Sequence, residues 1–242
     1  MTRLLNGIVA FGSALLLAVT LIGAGFAAVA IPDAATATLS RAFSGRDQPN
    51  TPFTADELAS MAIAGKHYTF DDNDREKLDA AIAEANAAAE ADGRATASTR
   101  ESAARSLPAD AISHLDDVYR VASVAKPALV IVAVLCIAGL AHVAVRISRR
   151  ALGLTLMAGG GLVLASFCAL GAWAAIDFDG LFAAFHSLFF QAGTWTFPYD
   201  SLLITLYPTA FWMGMGGIWL AVTCIASIIC IIVGRLLRSE TE

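Results

Sequence analysis

Four long apolar stretches alternate along this chain with two segments of mixed polarity. The apolar stretches run over Leu4–Ile31, Pro127–Val145, Leu152–Ile176 and Phe211–Val233, and the last three contain no Asp, Glu, Lys or Arg. A bilayer core is crossed by about 20 apolar residues in helical form, so each stretch predicts a membrane-spanning helix. The expected fold class is an all-α membrane protein with four transmembrane helices, a small helical extracytoplasmic domain over residues 32–126 and an interfacial helix and loop over 177–210.

The polar pattern inside the first connecting segment predicts three further elements. Pro32 to Pro52, rich in Thr, Ser, Asp and Gly, reads as a linker. A helix then starts at Thr54: Thr54 and Glu57 fit a capping box, Phe53 and Leu58 fit the hydrophobic staple, and Gly65 offers a stop. A second helix over about Asp72–Asp92 carries few bulky apolar residues, chiefly Leu78 and Ile82, so it is expected to bury little. Gly93–Ser106 reads as a flexible loop, and Leu78–Ser106 as an elaboration of the fold. The third helix begins near Pro108, with Ala111, Leu115, Val118 and Ala122 in an apolar stripe. His114 lies on the margin of that stripe and Asp117 about one turn on. Pro127 disfavours helical geometry at Lys126, which predicts a break that lets this helix lie along the membrane surface.

The second connecting segment has a similar design. Phe178, Leu181, Phe182, Phe185, Leu188 and Phe189 share one face at helical spacing, as expected of a helix lying in the interface. His186 is on its flank, with Asp179 two turns earlier. Trp195, Tyr199, Tyr207 and Trp212 read as interfacial aromatics. Gly159–Gly161 and Gly214, Gly216 and Gly217 offer small surfaces for close packing of spans.

Composition and charge sharpen this picture. Apolar residues make up 57% of the chain, above the range of soluble domains. Arg3, Arg146, Arg149, Arg150, Arg235 and Arg238 fall on one side of a four-span layout, while Asp177–Ala210 has no Lys or Arg. Cytoplasmic loops attract such basic residues, so both termini are expected inside and both connecting segments outside, in a multi-pass plasma-membrane protein. The net charge of −5 argues against a nucleic-acid partner. Ala28-Val29-Ala30 resembles a cleavage site, but the first apolar stretch is longer than a signal core and favours a retained anchor. Cys136, Cys168, Cys224 and Cys230 all lie in predicted spans and read as small buried side chains.

The candidate chemistry is a pair of histidines. His114 and His186 belong to different connecting segments of the same leaflet, each with a carboxylate nearby. An imidazole at a headgroup-level site can take up or deliver a proton beside an ester bond near neutral pH. Each alone also fits a structural role. His142 reads as structural at the end of a span, and His67 as structural or auxiliary. Asp117 is a candidate for orienting His114, with weaker claims for Asp116 and Asp200. Other constellations fail: no Ser stands in a G-x-S-x-G turn, and no H-E-x-x-H or comparable zinc motif is present. Apart from His142 the spans lack ionisable residues, which counts against an ion pathway.

At these motifs the chain resembles the bacterial lipoprotein intramolecular transacylase (Lit) family. The resemblance rests on His114-x-x-Asp117-Val118 before the second span. It rests equally on Phe185-His186-x-x-Phe189-Phe190, then Trp195, Phe197, Asp200-x-Leu202-Leu203-Ile204 and Tyr207-Pro208 before the last span. It implies an enzyme that moves an acyl chain within a diacylglyceryl-modified lipoprotein, from the glyceryl moiety to the α-amino group of the lipidated N-terminal cysteine. His114 and His186 then map onto the catalytic histidine pair, with Asp117, Trp195, Asp200, Phe189 and Phe190 orienting or contacting substrate. The implied partners are lipoproteins and membrane lipids, and no metal or cofactor is required. Two rival readings stay open: a lipid-ester hydrolase at the same two-histidine site, and a non-catalytic membrane anchor or envelope sensor.

Overall fold

The structure, a computed structural model of the chain, describes residues 2–48, 50–96 and 105–239. Its helices are α1 (Thr2–Ala30), α2 (Asp33–Phe43), α3 (Ala55–Phe70), α4 (Arg75–Ala91), α5 (Ala109–His142, continued by a π-helical turn Val143–Ile147), α6 (Arg149–Ile176), α7 (Phe178–Ser187), α8 (Leu202–Leu206) and α9 (Thr209–Ser239). No strand occurs among the described residues. Four helical stretches, Arg3–Ala30, Ala109–Ile147, Arg149–Ile176 and Thr209–Ser239, are long and apolar enough to cross a membrane. The protein is an all-α, multi-pass membrane protein.

The chain divides into two compact units. The span unit comprises Met1–Val29, Ala125–Phe182 and Ile218–Glu242. Its helices approach closely where side chains are absent: a Cβ on Gly153 would stand 2.5 Å from the Gly234 carbonyl oxygen, and one on Gly234 equally close to that of Gly153. Such backbone contact gives the dispersion attraction that substitutes, within lipid, for the hydrophobic effect. Gly159 and Gly160 also sit against neighbouring helices, whereas Gly161 meets nothing within 4 Å; in the second unit Gly216 and Gly217 likewise meet nothing, and Gly214 meets Leu39 of that same unit. The Trp219 indole donates to the Ile22 carbonyl at 3.0 Å, pinning α9 to α1. All four cysteines are free, and Cys168 is exposed on its span where the sequence suggested a buried side chain.

The site unit comprises Ala30–Val124 and Ala183–Gly217, so both connecting segments contribute to it. Its helix α3 begins as the pattern predicts: the Thr54 amide donates to Glu57 Oε2 at 2.7 Å and the Glu57 amide to Thr54 Oγ1 at 3.3 Å. Phe53 and Leu58 are both buried in one core with Met61, Leu78, Leu115 and Leu202. Each such large side chain, once fully buried, contributes about 1.5–3 kcal/mol.

Four expectations need correction. Residues Pro32–Pro52 are not a plain linker, because Asp33–Phe43 forms α2 with Thr36, Leu39 and Ser40 buried. Its inner face is built of hydroxyls: Ser40 Oγ bonds Ser44 Oγ at 2.8 Å, and Ser44 Oγ donates to the Leu206 carbonyl at 2.6 Å. Gly65 does not stop α3; the helix runs on to Phe70, and Gly65 is where the Tyr207 hydroxyl comes in. Helix α4 does not lie loosely on the surface: Leu78, Ile82, Ala85 and Ala89 are all buried, and its alanines allow that close approach. Finally, α5 is continuous through Pro127, with no break at Lys126. A span-bearing helix tolerates the one lost hydrogen bond. Most of the flexible loop expected over Gly93–Ser106 lies outside the described residues. At its start Arg94 forms a two-pronged ion pair with Glu57, at 2.7 and 2.9 Å.

The Gly65 contact yields a prediction. A Cβ there would lie 2.4 Å from Tyr207 Oη, which itself donates to the Ala62 carbonyl at 2.6 Å. Gly65→Ala is expected to destabilise by about 1–3 kcal/mol despite its better helix propensity. With Tyr207→Phe added, the double variant should lose less than the sum of the two single changes. Thermal unfolding midpoints of the four proteins in detergent check this, and strictly additive losses would contradict the clash.

Candidate active site

His114 is placed by the core of the site unit. Its neighbours Ala111 and Leu115 are 1% and 6% exposed, and they seat this face of α5 so deeply that His114 itself is only 8% exposed. Nδ1 of that ring is buried without a hydrogen-bond partner. His186 arrives from the other segment, as the penultimate residue of α7. Its carbonyl accepts the amides of Phe189 at 3.1 Å and Phe190 at 2.9 Å, so the chain turns back at once.

That turn brings the two imidazoles together. Their centroids are 6.1 Å apart with 29° between the planes. Phe190 serves both rings, 5.0 Å from His114 and 5.6 Å from His186. Phe197 stands 5.6 Å from His114, and Trp195 stands 4.8 Å from His186 at a 34° tilt. Phe189 lies beyond Phe190, at 6.2 Å. The exposed rings of Phe185 and Phe189, 5.2 Å apart, continue the apolar surface outward from His186. Phe197 belongs to the motif that carries the family resemblance, which implies no site role for it; the structure sets its ring against His114.

The expected carboxylates behave differently. Asp117 is ion-paired with Arg120, and it does not hydrogen-bond His114. Asp116 accepts hydrogen bonds from Tyr68 at 2.5 Å and Asn73 at 3.4 Å. Asp200 is exposed in the turn before α8 and makes no hydrogen bond or ion pair with either histidine. His67 bridges Asp33, at 2.9 Å, and Asp71, at 3.1 Å, away from the pair. His142 is exposed at the end of α5. Among the described residues no three His, Cys, Asp or Glu side chains converge as a metal site. A concavity of about 400 Å³ in this unit is lined by residues around His67, not by the histidine pair.

His114 precedes the apolar stretch that crosses the membrane, and its protonation is set by the enclosure. Burial first, then the neighbouring His186, push it down from 6.5 to about 4, while Asp117 pulls weakly the other way. His114 is therefore a neutral imidazole at physiological pH. The sign of the stability effect follows. Above about pH 6.5 the ring is neutral folded or unfolded; as pH falls toward about 4 the unfolded chain takes a proton that the folded site refuses. The folded state should lose up to about 3 kcal/mol over that window, and His114→Gln should not show this loss. Unfolding midpoints of both proteins from pH 7 to pH 4.5 measure it; parallel curves would contradict a buried neutral ring.

The chain is similar to known proteins in sequence family and in fold. The family model described as lipoprotein intramolecular transacylase Lit matches residues 93–212, which include both histidines. A solved in meso structure of the membrane integral lipoprotein intramolecular transacylase Lit from Bacillus cereus superposes with a TM-score of 0.71 at 17% identity, covering 98% of this chain and 97% of that one. A variant of that protein carrying a histidine-to-alanine mutation gives 0.71 at 16% identity, with 99% and 96% covered. At such identities the likeness speaks for the fold. No curated protein matches the chain by sequence. With the family's model matched over the segment that holds the histidine pair, the chain belongs to the lipoprotein intramolecular transacylase (Lit) family.

Proposed function

We propose that this chain is an acyltransferase. It moves one acyl chain of a diacylglyceryl-modified lipoprotein from the glyceryl oxygen to the α-amino group of the lipidated N-terminal cysteine, leaving a lyso-form lipoprotein. One observation carries the reading above all: two imidazoles, distant in sequence, meet inside one aromatic enclosure. The arginines that flank the span ends support an extracytoplasmic site by the positive-inside rule.

The atoms balance without a further reactant. The amine nitrogen attacks the ester carbonyl, a C–N bond forms, the glyceryl C–O bond breaks, and the amine's proton ends on the departing oxygen. An α-amino group titrates near 8, so a base must free its lone pair at neutral pH. His186, half-buried and tilted against Trp195, takes that proton and returns it to the glyceryl oxygen. His114, held neutral, keeps one N–H to donate to the oxyanion of the tetrahedral intermediate. Phe189, Phe190 and Trp195 supply the apolar contact for the acyl chains and keep water out. Amine and ester belong to one substrate molecule, so holding them in contact is itself worth several kcal/mol.

Mass spectrometry of the N-terminal peptide of a co-expressed reporter lipoprotein tests this. One acyl chain should move to nitrogen with no change in total mass. His114→Ala and His186→Ala should each lower that conversion by about 10²–10⁴-fold. Loss of an acyl mass would mean ester hydrolysis at the same site, and an unaltered peptide would mean a non-catalytic anchor.

A further inference from the structure

The span unit gathers its arginines at one end. Arg3 lies in α1, Arg146 in the π-helical turn that closes α5, Arg149 and Arg150 in α6, and Arg235 and Arg238 in α9. Contacts within the unit bring these helix ends to one level. Gly139 meets Ser13 and Gly23 meets Leu129, so α1 and α5 run antiparallel. At 1.5 Å per residue, Arg3 is about 15 Å from the first of these contacts and Arg146 about 10 Å from it, toward the same end. Gly153 meets Gly234 and Gly160 meets Ser227, so α6 and α9 are antiparallel too. Arg149 and Arg238 each stand four residues, about 6 Å, beyond the Gly153–Gly234 contact. Only Ser148 separates the π-helical turn from α6, so no loop carries Arg146 away from Arg149 and Arg150.

This charge is largely uncompensated. In the site unit Arg41, Arg75, Arg94, Arg105 and Arg120 are each ion-paired. Arg3, Arg146, Arg150 and Arg235 are exposed and make no ion pair or side-chain hydrogen bond among the described residues. Glu240 and Glu242 follow in sequence, outside the described residues; two glutamates against six arginines leave four positive charges. Arg149 and Arg150 also occupy the first turn of α6, where the helix dipole disfavours cations and favours an anion.

A second observation is independent of charge. Between the arginines stand apolar side chains that no other helix covers: Leu4 is 72% and Val145 79% exposed, and Leu5 and Leu236 are exposed as well. Guanidinium groups interleaved with open leucine and valine suit a ligand with an anionic head and a hydrocarbon tail. Keeping cations out of the hydrocarbon requires only that each reach water. It does not require the ends of four helices to bring them together unpaired.

We propose that this end of the span unit binds an anionic phospholipid of the surrounding leaflet, with its phosphate among the arginines of the α5–α6 turn and of α9 and its acyl chains against Val145 and Leu236. The proposal does not depend on the acyl-transfer reading.

Native mass spectrometry of the full-length protein, released from nanodiscs holding phosphatidylglycerol and phosphatidylcholine in equal amounts, tests it. Phosphatidylglycerol should remain bound at about tenfold or more over phosphatidylcholine. Arg146→Gln and Arg235→Gln should each lower that ratio about three- to fivefold. Each variant keeps five of the six arginines, so the orientation signal survives. Arg46→Gln removes the same charge from an exposed arginine of the site unit and should leave the ratio unchanged. Unfolding midpoints in nanodiscs of either lipid alone show that the variants are folded and give a second readout. Phosphatidylglycerol should raise the midpoint of the unaltered protein and raise that of either span-end variant less. The absence of a preference in the unaltered protein overturns the proposal. So does an equal loss in all three variants, which marks diffuse attraction, or a ratio that neither span-end variant changes.

Discussion

The histidine pair depends on a clasp between distant parts of the chain. The segment that carries His186, Trp195 and Phe197 is mostly exposed and has almost no regular structure after α7. What holds it is its far end, where the five residues of α8 enter the core of the site unit with Leu202 and Leu206 fully buried against Leu58, Met61 and Leu78. Polar contacts fix the register of that insertion. The Gly45 amide donates to Thr205 at 2.9 Å, Ser44 to Leu206 at 2.6 Å, Gln48 to Tyr199 at 2.8 Å, and Tyr207 to Ala62 at 2.6 Å. Gly45 adopts a left-handed φ of +68°, which a side chain would resist, and a Cβ there would lie 2.7 Å from Leu58. Buried carbonyls at the end of a short helix need partners, and here residues more than 150 positions upstream provide them.

This explains why α2 and α4 matter to a site they do not touch. The hydroxyl face of α2 ends in the Ser44–Gly45 turn that grips α8. Helix α4 packs Leu78 and its alanines into the same core that seats Ala111 and Leu115 on either side of His114. Capping box, core and clasp are thus parts of one scaffold, and both imidazoles are positioned by helices rather than by loops. Rigid placement of this kind is what a reaction between two groups of one substrate requires.

What could be read from the residues alone was what depends on nearest neighbours or on gross composition. The spans declare themselves by length and lack of charge, and the start of α3 by Thr54, Glu57, Phe53 and Leu58. Helix α2 was hidden because its buried face is Thr36, Leu39 and Ser40, whose hydroxyls find partners only after folding. Helix α4 looked too poor in apolar bulk, yet alanine buries well when the partner helix can come close. Pro127 pointed to a break that the hydrogen bonding of a span-bearing helix overrides. Within the site, His114 and His186 stood out by chemistry, but their approach could not be derived from spacing, because it is made by the clasp. Asp117, a candidate either for orienting His114 or for solvating its own helix, pairs locally with Arg120, three residues on.

The pair's electrostatics then divide the labour. Two unit charges 6.1 Å apart at an effective dielectric constant of about 20 repel by about 3 kcal/mol, so the site accommodates one proton between its rings and not two. His186 keeps some contact with solvent and lies 4.8 Å from the Trp195 indole, within range of a cation–π attraction. His114, enclosed by Phe190 and Phe197, has neither advantage. On the transferase reading this asymmetry has a direct use. The ring that can become positive is the one suited to take a proton from an ammonium group. The ring that cannot is kept as a neutral donor, ready when negative charge develops on the carbonyl oxygen. Had both been equally exposed, either could have carried the proton, and neither would have been held in the form the other step needs.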